Sequence, residues 1–261
     1  MKKVPVFFCI AFFAAAALLA ADSFVYGPEW VMFPLLFDQP RHGAYGSQWV
    51  TDVSLRNTGD TPVSIYPVDC GIIECPTIFL QPHTSVRNPS YLWYQDEGAA
   101  RSPGTFLYFS GPADQITASL HIRDIAGSGE NQLNVELPVL RPAGRPQAVE
   151  LLDVPVESGN RITLRIYDLS GRQGGIDGLV SVYAGIGSDL LTSFAVHTSG
   201  AWNVGYPLVP GYVQVDDLAA KLPPAAQGMS VRIAVTGDEH FWAFASVTDN
   251  NTQRVTIFSP Q

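Results

Sequence analysis

Trp49-Val50-Thr51-Asp52-Val53-Ser54-Leu55-Arg56-Asn57 decides the fold. Trp49, Thr51, Val53 and Leu55 fall on one side of an extended chain and Asp52, Ser54 and Arg56 on the other, with Val50 the exception. A period of two with the apolar residues on one side marks a strand with one buried face. Asn57-Thr58-Gly59-Asp60 then turns the chain, and Pro62-Val63-Ser64-Ile65-Tyr66-Pro67-Val68 supplies a returning strand, so a hairpin is expected here.

The same rhythm continues outward. Strands are expected at 77–80, 104–110, 116–122 and 132–137, with turns at Gly111-Pro112-Ala113-Asp114 and Gly127-Ser128-Gly129. Proline and glycine interrupt the rhythm at Arg141-Pro142-Ala143-Gly144-Arg145-Pro146, which reads as a linker or a long surface loop. Beyond it, strands are expected at 161–168, 178–184, 190–197, 229–235, 240–247 and 254–258. One short helix is expected at 215–221, with Asp216 and Asp217 in its first turn and Pro223 ending it. The 261 residues include 23 Gly and 20 Pro, too many breakers for long helices. Hydrophobic residues make up 46% and charged ones only 15%, which excludes a disordered chain. The expected fold is all-β: two tandem immunoglobulin-like or jelly-roll-type β-sandwich domains, at 22–143 and 147–261, after a signal peptide at 1–21.

The two halves read as a diverged duplication. Trp49-Val50-Thr51-Asp52 aligns with Asn160-Arg161-Ile162-Thr163. The hairpin from Phe106 to Asp124 aligns with the one from Val231 to Asp249, each ending in strand, Asp, turn, strand. Shared hairpin grammar without common origin is the alternative.

Residues 1–21 read as an address. Lys2 and Lys3 form a basic start, an apolar run extends from Val4 to Leu19, and Ala20-Ala21 offers a small-residue cleavage site. The apolar run falls short of the roughly 20 residues a membrane span needs, so no integral span is expected after cleavage. The expected destinations are the periplasm, the outer cell surface or the medium. Cleavage removes two of the 15 basic side chains and none of the 24 acidic ones, moving the net charge from −9 to −11. Nucleic acid is thereby an unfavoured partner, because phosphate binding needs a basic footprint. Cys70 and Cys75, in Asp69-Cys70-Gly71-Ile72-Ile73-Glu74-Cys75, are expected to form a short-loop disulfide in an oxidising compartment. Free thiols and a metal site are the alternatives.

The stretch from Gly43 to Asn57 resembles a recurrent module of secreted bacterial proteins with a Gly-Ala-x-Gly-Ser-x-Trp-x-Thr-Asp-x-x-Leu-x-Asn signature. Those proteins often close with a segment similar to Ala243-Phe244-Ala245-Ser246-Val247-Thr248-Asp249-Asn250-Asn251-Thr252. The resemblance implies a β-sandwich surface or extracellular protein and brings no activity, ligand or catalytic residue with it.

Candidate chemistry is sparse. Ser47 lacks the Gly-x-Ser-x-Gly elbow of a nucleophile, so Gly43, Gly46, Trp49 and Asp52 are read as structural: the glycines in turns, Trp49 in the core, Asp52 capping a turn or pairing with an arginine such as Arg56. His42, His83, His121, His197 and His240 are scattered singly, without transition-metal spacing, and are expected at the surface. No cofactor is expected. Calcium at acidic loops is the weak alternative, since no Asp-x-Asp-x-Asp-Gly loop occurs. Tyr91-Leu92-Trp93-Tyr94-Gln95-Asp96-Glu97 sets three rings beside hydrogen-bond acceptors, a pattern suited to stacking on sugar rings. A loop folded over the core would bury the same rings. Trp202 and Tyr206 form a second, weaker cluster. The expected role is an exported, non-catalytic structural or interaction protein whose partners are other envelope or extracellular proteins, or glycans. The alternative is a carbohydrate-binding or glycan-active protein using Tyr91, Trp93, Tyr94, Asp96 and Glu97.

Overall fold

The computed structural model describes residues 30–37, 40–43, 46–67, 77–89, 104–126, 134–141, 147–170, 174–203, 208–237 and 239–260. The first half contributes β1 (Trp30–Phe33), β2 (Arg41–His42), β3 (Gln48–Asn57), β4 (Val63–Pro67), β5 (Ile78–Leu80), β6 (Ser85–Arg87), β7 (Thr105–Phe109), β8 (Ile116–Asp124) and β9 (Asn134–Leu137). The second contributes β10 (Ala148–Val156), β11 (Asn160–Asp168), β12 (Asp177–Ala184), β13 (Leu190–His197), β14 (Trp202–Asn203), β15 (Leu208–Val209), β16 (Gly211–Val215), β17 (Met229–Gly237), β18 (Phe241–Asp249) and β19 (Val255–Phe258). The fold is all-β. Among the described residues helical structure is limited to single 3-10 turns, and no helix is long and apolar enough to cross a membrane.

The halves share one strand order. In the first, β1-β7-β4-β5 make one sheet and β2-β3-β8-β9 the other, with β6 also pairing β3. In the second, β10-β17-β12-β13 make one sheet and β16-β11-β18-β19 the other. Reading β1, β3, β4, β5, β6, β7, β8, β9 against β10, β11, β12, β13, β16, β17, β18, β19 preserves both chain order and sheet position. Among the described residues every strand pairing is antiparallel and stays within its half. The expected hairpins at 106–124 and 231–249 do not form: β7 and β8, like β17 and β18, lie in opposite sheets and cross between them, and in both halves the closing aspartate caps the turn that follows. Asp124 Oδ1 accepts from the Gln48 and Ala126 amides at 2.8 and 3.0 Å, and Asp249 Oδ1 from the Asn251 and Thr252 amides at 2.7 and 2.8 Å.

Strand β3 buries Thr51, Val53, Leu55 and Asn57 and leaves Asp52, Ser54 and Arg56 at least partly solvated, as its alternation dictates. The hairpin to β4 does not form. β3 pairs with β8, β2 and β6, whereas β4 lies in the opposite sheet between β7 and β5. Asn57 holds this crossover: its fully buried Nδ2 donates to the Thr61 and Leu80 carbonyls at 2.7 and 3.1 Å, and its Oδ1 accepts from the Gly59 amide at 3.0 Å. A buried amide satisfied by three backbone groups links two sheets where a tight turn would have joined neighbours.

Strand β10 evades a period-two reading because its phase changes midway. Val149 and Leu151 are buried, then Val154 and Val156, with a register shift between Leu151 and Val154 and a positive φ of 56° at Asp153. This is a β-bulge on an edge strand, the position that also tolerates Pro155. The expected helix at 215–221 is likewise replaced. Strand β16 runs on to Val215, and the Leu218 amide is captured by the Ile162 carbonyl at 2.9 Å, which leaves only 3-10 turns at Ala219–Lys221 and Pro224–Ala226.

Each half stacks its two main sheets over apolar side chains, but the two cores differ in extent. Among the described residues the second is built from the second half, including Val149, Leu151, Ile162, Leu164, Val180 and Ile233. The first includes Val31, Phe33, Val53, Leu55, Phe106 and Leu120, and continues into Tyr167, Leu169, Ala201, Trp242 and Phe244 of the second half. Residues 142–146, the proposed junction, lie outside the described residues. The first core holds residues of both halves.

Candidate functional site: the cleft between the sandwiches

The outer face of β11 and β18 positions the site. Ile162, Leu164 and Ile166 point into the second core, so alternation sends Arg161, Thr163, Arg165 and Tyr167 to the other face. On β18, Ala243, Ala245 and Val247 point inward and Trp242, Phe244, Ser246 and Thr248 outward. Pairing sets Tyr167 opposite Trp242, Arg165 opposite Phe244, Thr163 opposite Ser246 and Arg161 opposite Thr248. The face is thus aromatic at one end and polar and cationic at the other.

The aromatic end seals the two halves together. Tyr167 is fully buried, with ring centroids of Trp242, Phe244 and Tyr212 at 5.7, 6.3 and 6.4 Å, and its hydroxyl donates to the Pro34 carbonyl of the first half. Burial pushes the Tyr167 phenol well above its ordinary value, so it stays a neutral donor. The polar end opens as a cleft of about 480 Å³. Leu35, Phe37, Trp49, Ile122 and Leu137 line it from the first half, joined by Arg41 and His42 of β2. Arg161, Thr163, Arg165, Phe244, Ser246 and Thr248 line it from the second, with Gln214 and Asp216 alongside.

Polar contacts order this lining. Arg165 donates from Nη1 to Ser246 Oγ at 3.2 Å and lies 5.5 Å from the Phe244 ring centroid, while its Nε is sealed from solvent without a partner. Burial lowers the Arg165 pKa, with Tyr167, Asp216 and Tyr212 opposing the shift. Thr163 Oγ1 donates to the Asp216 carbonyl at 3.1 Å, and Gln214 Nε2 donates to Asp216 Oδ1. Arg161 Nη2 reaches Gln253 Oε1 at 3.4 Å. The set offers guanidinium, hydroxyl, amide and aromatic groups: the chemistry of recognition.

The residues of the Gly43–Asn57 signature build the facing wall. Gly43 admits no side chain, since a Cβ there would stand 2.2 Å from Ser47 Oγ and 2.6 Å from Trp49 Nε1. Trp49 Nε1 donates to Ser47 Oγ at 3.0 Å, so Ser47 serves to hold the indole and is itself buried. Gly46 takes a φ of 81°, as expected of a turn glycine. Trp49 is half-buried, packed on the first core with its remaining surface in the cleft, so it does not plug the sandwich interior as expected. Thr51 Oγ1 accepts from the Phe37 amide at 3.0 Å and donates to the Phe37 carbonyl at 3.2 Å, pinning the segment that carries Leu35 and Phe37.

Asp52 pairs with other arginines than Arg56, which lies on the same strand. Its carboxylate receives Asn88 Nδ2 at 2.8 Å, Arg123 Nε at 3.2 Å and Arg87 Nη2 at 3.4 Å, tying β6 and β8 to β3. Burial works to raise its pKa but is outweighed by the hydrogen bonds from Asn88 and Arg123 and by both arginine charges, so the carboxyl sits below its ordinary value.

Other expected site residues fall elsewhere. Cys70 and Cys75, and Tyr91, Trp93, Tyr94, Asp96 and Glu97, lie outside the described residues. His83 and His197 are exposed and hydrogen-bond Asp60 and Asp177 at 3.0 and 2.8 Å. Among the described residues no three His, Cys, Asp or Glu side chains group as metal ligands. The cleft arginines escaped sequence reading, although a signal existed. Aromatic residues at alternate positions on both faces of β18 mark a strand whose outer face is also covered.

Fold and site together define an all-β protein of antiparallel sheets with a polar and aromatic cleft lined from both halves of the chain. Comparison with family models, with curated proteins and with solved structures gives no match.

Proposed function

We propose that this chain is an exported, non-catalytic interaction protein of the cell envelope or the extracellular space, whose sandwiches act as one rigid holder for a ligand in the cleft between them. One observation carries it: the same sheet face that fastens the halves through Tyr167 and Trp242 continues into an open, polar and aromatic groove. A groove bounded by two packed sandwiches keeps its shape, and a preorganised site loses less entropy on binding. The basic-then-apolar start of the chain supports export, and a Cys70–Cys75 bridge fits that compartment. Alkylation mass spectrometry before and after reduction reads the bridge directly.

The role is tested with the exported, processed chain as bait against envelope and secreted fractions and a glycan array, alongside Thr248→Trp, which fills the cleft, and Phe79→Ala on an exposed surface. Retained partners lost with Thr248→Trp and kept with Phe79→Ala are the expected result. Partners indifferent to Thr248→Trp, or turnover of a glycan, would overturn it.

A further inference from the structure

We infer that the cleft is a binding site for an organic carboxylate carrying a flat apolar group, with the Arg165 guanidinium as its anchor. The inference rests on the recognition role proposed above and gives it a ligand class. Elsewhere on this acidic protein three arginines of the sheets are matched by carboxylates: Arg87 and Arg123 share Asp52, and Arg232 takes Glu150. Arg165 has no carboxylate within ion-pair distance among the described residues. Asp216, an acid that lines the same cleft, is held by Gln214 on the neighbouring strand. A guanidinium withdrawn from water with one hydroxyl partner and a sealed Nε is costly alone and well suited to an incoming anion.

The rest of the lining narrows the ligand. Arg165 lies against Phe244, and Phe37, Trp49 and Leu35 bound the same space, so the anion must bring apolar surface with it. Arg41 and Arg161 also line the cleft, with Asp216 offsetting part of their charge, and the planar fork of Arg165, backed by neutral Ser246, matches the geometry of a carboxylate better than that of a phosphate dianion. A cleft of about 480 Å³ accommodates a free aromatic acid or the terminal residue of a peptide.

Isothermal titration of the processed chain separates these sources. The probes are 3-phenylpropionate, its amide, a tripeptide ending in a free phenylalanine carboxylate, the same peptide amidated, and inorganic phosphate. Saturable binding of one or both acids, weakened about tenfold or more by amidation and by Arg165→Met, is expected. Arg165→Lys, which keeps the charge and loses the fork, guards against a folding defect and should weaken binding several-fold. Binding of the acid alone marks a free organic acid, and tighter binding of the peptide marks a chain terminus. Equal affinity for acids and amides, stronger binding of phosphate, no binding at millimolar ligand, or indifference to both Arg165 substitutions would overturn the inference. If the acids fail while partner capture still depends on an open cleft, the ligand class falls and the interaction role stands. If the acids bind through Arg165 while no partner is captured, the reverse holds.

Discussion

Tyr167 is where the shared core can be broken with one substitution. Its side chain is fully buried, touches three aromatic rings, and carries a hydroxyl bonded to the Pro34 carbonyl across the seam. Tyr167→Ala removes a ring whose neighbours belong to packed strands and cannot close over the gap. The expected cost is about 3–5 kcal/mol, the range for deleting a buried aromatic. At roughly 2–4 °C per kcal/mol for a chain of this size, the thermal midpoint should fall by about 6–20 °C. Tyr167→Phe keeps the ring and orphans only the Pro34 carbonyl, for about 1–2 kcal/mol. Scanning calorimetry reads both quantities and one more. With the core continuous, the native chain should unfold in a single cooperative transition, and Tyr167→Ala should split it in two as each sandwich melts on its own. Phe79→Ala, at a side chain 70% exposed, is the control and should stay within about 0.5 kcal/mol. Two transitions already present in the native chain, or a Tyr167→Ala loss no larger than that of Phe79→Ala, would refute a shared core.

Three further outcomes follow from the geometry. Gly43→Ala should destabilise by about 1–3 kcal/mol and red-shift tryptophan emission, because its Cβ would displace Ser47 Oγ and the Trp49 indole from 2.2 and 2.6 Å. Asn57→Ala should cost about 1–3 kcal/mol in urea unfolding, since it strips donors from the Thr61 and Leu80 carbonyls inside the crossover. Asp52→Asn should cost stability in a pH-dependent way. The folded-state pKa lies below the ordinary value of 3.8, so the native carboxylate contributes fully above that value and loses its contribution as pH falls through the folded-state pKa. The gap between native and Asp52→Asn midpoints should therefore narrow on acidification, and a gap constant with pH would rule out the Arg87–Asp52–Arg123 cluster as its source.

Much of the strand map was legible because alternation is local. Met229–Gly237, Phe241–Asp249 and Leu190–His197 fall where their period of two places them, as does the inward face of β3. Strand β10 was not legible: the bulge at Asp153 inserts one residue and reverses the phase, so its two apolar pairs do not sum to a single face. The 215–221 segment carried helix signals in Asp216, Asp217 and Pro223, but the Leu218 amide bonds to β11, and a partner 56 residues away in sequence outcompetes local propensity.

The site divides the same way. Gly43, Gly46, Trp49 and Asp52 stood out as a pattern, and their contacts turn out to be a hydrogen-bonded scaffold for one wall of the cleft. Nothing within β11 marks Arg161 and Arg165 as facing a second layer; the hint sits on β18, where Trp242 and Phe244 make the outer face apolar. The sequence by itself determined an all-β chain and which side of each regular strand is apolar, since these depend on residues a few positions apart. The tertiary structure decided that β3 crosses between sheets, that Tyr167 and Trp242 close a seam with the first half, and that Arg165 opens into the space left beside it. Those outcomes depend on groups separated by tens to more than a hundred residues, whose meeting is set by packing.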